Sequence, residues 1–175
     1  MGLPVYSPKI IAKTGWRTDD LYNAIEESEK SGKKYDMVSL LIGVNNQYQR
    51  KSLRAFDAEL NRLIDKAIAL SKYGVEGVFV LSIPDYGVTP FAGDKGPQIS
   101  KELKEWNASV KRISLERDLQ YFDITPISLK AKDDKTYVAN DGLHPSGKMY
   151  KEWVDLIAES VHLRLKANLK VFATE

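Results

Sequence analysis

The chain has 175 residues and no cysteine, and its 26 Lys and Arg against 24 Asp and Glu leave a net charge of +2. That length suits one domain with a real core, expected to span residues 1–175. The composition excludes disulfides, thiolate metal sites and cysteine nucleophiles. With both charge signs scattered and no basic stripe, it does not indicate a nucleic-acid partner.

No apolar run approaches membrane-spanning length, and no signal-peptide pattern opens the chain. A cytoplasmic location is therefore the default expectation, with the secreted or periplasmic alternative if a lost N-terminus carried a signal. Met1-Gly2 is not read as a myristoylation start, because Tyr6 stands where Ser or Thr is wanted.

Lys9 to Lys13 is a short β-branched run, ended by Thr14-Gly15, and reads as the first strand. Thr18 to Lys30 follows as a helix with Leu21, Ala24 and Ile25 on one face, Thr18 as N-cap and Asp19 and Asp20 in the first turn. Met37 to Ile42 is almost wholly apolar, the pattern of a strand covered on both faces, and Gly43 breaks it. Ser52 caps a long helix to about Lys72, with Phe56, Leu60, Leu63, Ile64, Ala67 and Ile68 inward. Gly77 to Ile83 is the next buried strand, stopped by Pro84, and residues 84–97 form an irregular loop. Gln98 to Arg117 carries Leu103, Trp106, Val110 and Ile113 at helical spacing. Gln120 to Ile124 is a last strand. Ser146 to about Lys166 is the closing helix, with Met149, Trp153, Leu156, Ile157 and Val161 as its apolar face.

Strands alternating with helices of this length imply an α/β fold, a parallel sheet covered on both faces. In such sheets function collects in loops at the carboxyl ends of the strands. Those loops begin here at Gly15, Gly43, Pro84 and Thr125.

Chemistry concentrates in Asn140-Asp141-Gly142-Leu143-His144-Pro145-Ser146. A general base needs an imidazole near neutral pKa and a carboxylate that holds its other nitrogen in one tautomer. Asp141 and His144 can supply both from one turn; the plainer alternative is a solvated Asp in a loop. A second cluster is Gly43-Val44-Asn45-Asn46-Gln47-Tyr48. An Asn leaving a strand end can aim its amide at a developing oxyanion, or simply bond its own backbone as turn residues do. The Gly15 N–H in Thr14-Gly15-Trp16 can face a ligand closely, or belong to a plain turn.

In this order the segments resemble the SGNH hydrolases, the GDSL-type esterases and lipases. Gly15 matches the family's lone glycine block, and Gly43-Val44-Asn45-Asn46 matches Gly-x-Asn-Asp with Asn46 replacing the Asp. Asp141-Gly142-Leu143-His144 matches Asp-x-x-His in full. Ser82-Ile83-Pro84-Asp85 is similar to a strand-end segment of many members. The resemblance implies a flavodoxin-like three-layer sheet of order 2-1-3-4-5. It also implies Ser-His-Asp acyl transfer on acyl or acetyl esters. Asp141 and His144 would be catalytic, Gly15 and Asn45 oxyanion-binding, and Trp16, Gln47, Tyr48 and Asp85 substrate-binding, with Tyr86 and Phe91 as further pocket walls. No cofactor and no metal is expected. The partner would be a small-molecule, lipid or carbohydrate acyl ester.

The family's Gly-Asp-Ser block, with its nucleophile and first strand, occurs nowhere in the 175 residues. Ser7 lies before the first strand, Ser39 and Ser82 fall inside strands expected to be buried, and Ser146 reads as a helix cap. A late start, a shortened chain or a naturally decayed member each explain the loss. The alternative function is therefore a non-catalytic α/β module that binds an acylated ligand or a partner. With the first strand missing, Met37 to Ile42 would lose a neighbour. Either the Lys9 to Lys13 strand slides across, or copies of the chain pair as a homo-oligomer, the outcome expected here.

Overall fold

The structure, a computed structural model, describes residues 7–171. Three strands, β1 (Val38–Leu40), β2 (Val78–Leu81) and β3 (Gln120–Phe122), form one parallel sheet in the order β1-β2-β3. Each is shorter than its apolar run, because the ladder lasts only three or four residues before the chain turns away. The central β2 is buried along its whole length. Its alternate residues feed two cores, as the two-residue period of a strand requires.

Val78 and Val80 join Leu21 and Ile25 of α1 (Thr18–Ser28), Phe56, Leu60, Leu63 and Ile64 of α3 (Leu53–Leu70), and Leu103, Trp106, Val110 and Ile113 of α4 (Gly96–Glu116). Phe79 and Leu81 join Met149 and Trp153 of α6 (Gly147–Val171) on the opposite face. The architecture is the expected α/β fold with helices on both faces. Burial of each large side chain in these stripes contributes about 1.5–3 kcal/mol. The Ser52 hydroxyl caps α3 by accepting from the Ala55 N–H at 3.2 Å. The Ser146 hydroxyl accepts from Met149 N at 3.4 Å at the start of α6.

Four expectations are corrected. Lys9 to Lys13 is not a strand: the run is irregular and Ile10 is 78% exposed. β-Branched residues favour a strand only where a neighbour completes the ladder, and among the described residues the sheet ends at β1. For the same reason the run does not slide across to pair with β1, whose outer edge has no strand beside it among the described residues. Ser39, expected to be buried, is exposed on that edge strand. Thr18 is not the cap of α1 but its first helical residue; the Arg17 N–H is instead satisfied by the Asp20 carboxylate at 3.0 Å. Leu156 is 48% exposed at the margin of the α6 stripe, whose buried centre is Met149 and Trp153.

Because the strands are parallel, the loops after β1, β2 and β3 gather at one end. Gly43 opens the first of them. Its φ is +120°, and a Cβ there would stand 2.7 Å from the Phe56 ring and 2.8 Å from Ile83, so the chain can turn there only without a side chain.

Candidate active site

Residues 138–146 fold back on themselves. Val138 and Pro145 form an antiparallel bridge, the Ala139 N–H donates to the His144 carbonyl at 2.8 Å, and Ser146 N–H donates to Tyr137 at 2.8 Å. Gly142 takes φ +73° at the tip. Inside this turn one Asp141 carboxylate oxygen accepts the backbone N–H groups of Leu143 (3.0 Å) and His144 (2.9 Å). The other oxygen lies 2.6 Å from His144 Nδ1. Those two backbone donors, and then the imidazole, hold the Asp141 carboxyl down at about 2. The bonded carboxylate favours the tautomer with hydrogen on Nδ1, which leaves Nε2 as a free acceptor. Both side chains are about half exposed. The turn thus presents a proton acceptor to solvent from a fixed ring.

A second corner is built from α2 (Val44–Tyr48) and the turn at Gly15. Gly15 has φ +85°, and its carbonyl accepts from the Gln49 amide at 3.3 Å. The Asn45 Nδ2 donates to the Trp16 carbonyl at 3.0 Å, so one amide hydrogen is engaged and the other remains for a ligand. Asn46 is 1% exposed and wholly structural. Its Oδ1 accepts Thr18 N–H at 3.1 Å, and its Nδ2 donates to Thr18 Oγ1 at 2.6 Å and to Glu59 at 3.4 Å. The Thr18 hydroxyl in turn bonds Glu59. An amide suits this position because it offers one acceptor and one donor, and the donor faces a carboxylate. An Asp, the residue expected from the resemblance, would set two carboxylates against each other.

Two of the expected substrate-binding residues lie beneath the surface. Gln47 is 5% exposed, its Oε1 accepting from Tyr86 Oη at 2.8 Å and its Nε2 donating to Glu102 at 2.6 Å. Asp85 is also 5% exposed, and accepts Gly87 N–H at 2.7 Å to cap a short 3-10 turn. Both are engaged as braces within the fold, and for one reason. A polar side chain at a strand end is drawn inward when a buried phenol or an unpaired N–H needs it. Burial raises the Tyr86 phenol, and the amides of Gln98 and Gln47 lower Glu102. Trp16 is half-buried against the core, while Tyr48 is exposed.

The two corners are joined through the loop after β2. Phe91 N–H donates to the Gly142 carbonyl of the Asp141 turn at 3.0 Å, and the Phe91 ring lies 6.2 Å from that of Tyr48 at the end of α2. The structure thus brings Asp141, His144, Tyr48, Asn45, Trp16 and Gly15 to one end of the sheet. Among the serines there, Ser82 is fully buried, its oxygen accepting from Ile124 N, Thr125 N and Thr125 Oγ1. It is a structural acceptor with no room to attack a substrate. The braces from Glu59 and Glu102 have no sequence signal, since both acids read as ordinary helix-surface residues.

A family model described as GDSL-like lipase/acylhydrolase matches residues 2–152. Comparison with curated proteins gives no match. Among solved structures the chain is similar to an acetylxylan esterase from Geobacillus stearothermophilus, at 21% identity and TM-score 0.63, over 84% of this chain and 68% of that one. It is likewise similar to a lipase/acylhydrolase from Enterococcus faecalis, at 20% identity and TM-score 0.62, over 86% of this chain and 72% of that one. A third is an α/β hydrolase from the metagenome of Lake Arreo, Spain, at 16% identity and TM-score 0.64, over 84% and 68%. The chain belongs to the GDSL-like lipase/acylhydrolase family.

Proposed function

We propose, from this membership, that the chain carries the proton-transfer and oxyanion-binding half of an ester hydrolase acting by Ser-His-Asp acyl transfer. The nucleophilic serine would come from polypeptide outside the described residues. The observation that carries the reading is the 2.6 Å contact between Asp141 and His144 Nδ1 in a turn that leaves Nε2 free. Nε2 takes the proton of the serine hydroxyl as that oxygen bonds to the ester carbonyl carbon. Asp141 stabilises the imidazolium so formed. The negative oxygen of the tetrahedral intermediate is held by the Gly15 N–H, the second Asn45 amide hydrogen and the serine's own N–H, each donor worth about 10²–10³ in turnover. Collapse returns the imidazolium proton to the departing alcohol, and water repeats the sequence to free the acid. Substrates are acyl or acetyl esters of small molecules, lipids or carbohydrates, in keeping with the esterase and the lipase/acylhydrolase among the similar structures.

A second reading, a non-catalytic module that binds an acylated ligand or partner, is favoured by one observation. Ser82 is saturated with hydrogen bonds and Ser146 caps α6, so neither serves as nucleophile. Extending the reading frame upstream separates the two. An in-frame Gly-Asp-Ser segment after an apolar strand, expressed together with residues 1–175, is expected to hydrolyse p-nitrophenyl acetate at a rate lost in His144→Ala. A stop codon with no such segment leaves the binding module. In either case copies of the chain are proposed to associate through the open edge of β1. A clean monomer by light scattering at micromolar concentration would count against that.

A further inference from the structure

The two faces of the sheet are unequally covered. α1, α3 and α4 pack on the Val78 and Val80 face, whereas among the described residues α6 is the one long helix on the Phe79 and Leu81 face. A parallel sheet is normally covered along both faces. α6 is tied to the β3 side: Ser160 accepts from Gln120 of β3, and Glu152 bonds Lys130 and Tyr137 beyond it. Helical spacing then turns Tyr150, Val154, Ala158, Val161, Leu165 and Leu169 to the other flank, toward β1. Tyr150 is 51% exposed and Val154 56%. β1 is bare on the same face. Val38, Leu40 and Ile42 pack with the α3 core, so alternation turns Met37, Ser39 and Leu41 to the α6 side. Met37 reaches the α6 core, but Ser39 and Leu41 are exposed. The result is an apolar trough with β1 as its floor and α6 as its wall, larger than scattered surface residues would make.

We infer that a second copy of this chain fills the trough in one two-fold arrangement: β1 pairs antiparallel with β1 of its mate, and α6 packs antiparallel against the mate's α6 over the joined edge. The inference rests on the edge association proposed above and adds the helix face to it. Three observations select this occupant. No residue from Met37 to Ile42 is charged or proline, the usual guards of an edge strand. Joining the two edges sets β2 three strand spacings from its mate, about 14 Å. The α6 helices, displaced toward that junction, then approach the 8–10 Å at which helices pack, about the reach of Tyr150, Leu165 and Leu169. The charges also suit an antiparallel pair. The acids of α6, Glu152, Asp155 and Glu159, all lie in its first half, while residues 160–171 carry Arg164, Lys166 and Lys170 and no acid. Each basic half thus lies along an acidic one. From Tyr150 to Leu169 the strip is about 30 Å long, and with the strand edge it covers on the order of 600–800 Å² per copy, close to a standard specific interface.

Sedimentation velocity on the 175-residue chain across a micromolar concentration series tests it. A monomer–dimer equilibrium is expected. Ser39→Lys on the strand edge and Val154→Arg on the β1 flank of α6 should each raise the dissociation constant by about tenfold or more. Leu163→Arg, on the β3 flank of the same helix and 58% exposed, should change it by less than about twofold. All three replace exposed side chains, and far-UV circular dichroism checks that the fold is kept. Amide exchange across the β1 segment should slow as the concentration rises, the mark of an edge that gains hydrogen-bond partners on association. A monomer at every concentration overturns both the inference and the edge association, and leaves the trough to a different polypeptide. A dimer broken by Ser39→Lys but not by Val154→Arg overturns the inference and keeps the edge association. A dimer broken by Leu163→Arg, or one that leaves exchange at β1 unchanged, overturns it as well. None of these results bears on the hydrolase reading, which stands or falls on His144-dependent hydrolysis by the frame-extended chain.

Discussion

The His144 turn and the Gly15–Asn45 corner lie at the same end of the sheet but are built in opposite ways. The turn's internal bonds close within ten residues, the two decisive ones joining positions three apart, and the Phe91 N–H braces its tip from outside at the Gly142 carbonyl. The corner is assembled from contacts 28 to 34 residues apart, from Asn45 to Trp16, from Asn46 to Thr18 and from Gln49 to Gly15. A local turn carries its own geometry and tolerates exposure. A corner made of distant segments holds only while the core beneath it is intact, so damage to packing should reach the corner first and the turn last.

The harshest test of that contrast is Gly43→Ala. The new methyl meets Phe56 and Ile83 at under 3 Å from a left-handed backbone. We expect a loss of about 3 kcal/mol by urea denaturation. Chemical shifts of Gly15 and Asn45 should move while the Asp141–His144 turn keeps its own. Equal disturbance of both regions would dissolve the comparison.

Asn46→Asp should act more gently, by about 2 kcal/mol, since it replaces a buried donor facing the half-buried Glu59 with a second carboxylate. Combination with Glu59→Gln should recover most of the loss in a double-mutant cycle. If the two substitutions prove additive, the Glu59 contact is not what makes an amide suitable here.

Within the turn, Asp141→Asn keeps an acceptor for the backbone N–H groups of Leu143 and His144 but removes the carboxylate from Nδ1. The midpoint of unfolding should hardly change, while ¹⁵N shifts of His144 should report a mixture of tautomers. The pH dependence follows from the depressed carboxyl. Folded Asp141 titrates at about 2 against an ordinary 3.8, so its stabilisation of the turn is complete above the ordinary value and is lost only as pH falls through about 2. A carboxyl-carbon titration with its midpoint near the ordinary value would show that the backbone bonds do not persist in solution.

The smallest expected effect is none. The 175 residues by themselves should hydrolyse p-nitrophenyl acetate no faster than their His144→Ala variant. A clear His144-dependent rate would identify one of the chain's own serines as nucleophile and make the corner and turn a complete site.

What the sequence determined unaided was whatever depends on short range. The helical stripes of α3 and α4, the run of β2, the Ser52 and Ser146 caps and the Asp141–His144 pair are set by periodicity or by bonds within a few positions. Tertiary structure decided what depends on having a neighbour. Lys9 to Lys13 has strand composition but finds no ladder, and Ser39 is exposed because its strand became an edge. Gln47 and Asp85 look like cleft residues in one dimension, yet a buried phenol and an uncapped turn draw them inside. Asn45 and Asn46 are adjacent and chemically identical, but one meets the Trp16 carbonyl near the surface and the other meets Thr18 and Glu59 in the interior. The reason is common to all of these. A residue's backbone preference is intrinsic to it, whereas its burial and its hydrogen-bond partners belong to segments tens of residues away, which only the folded chain brings near.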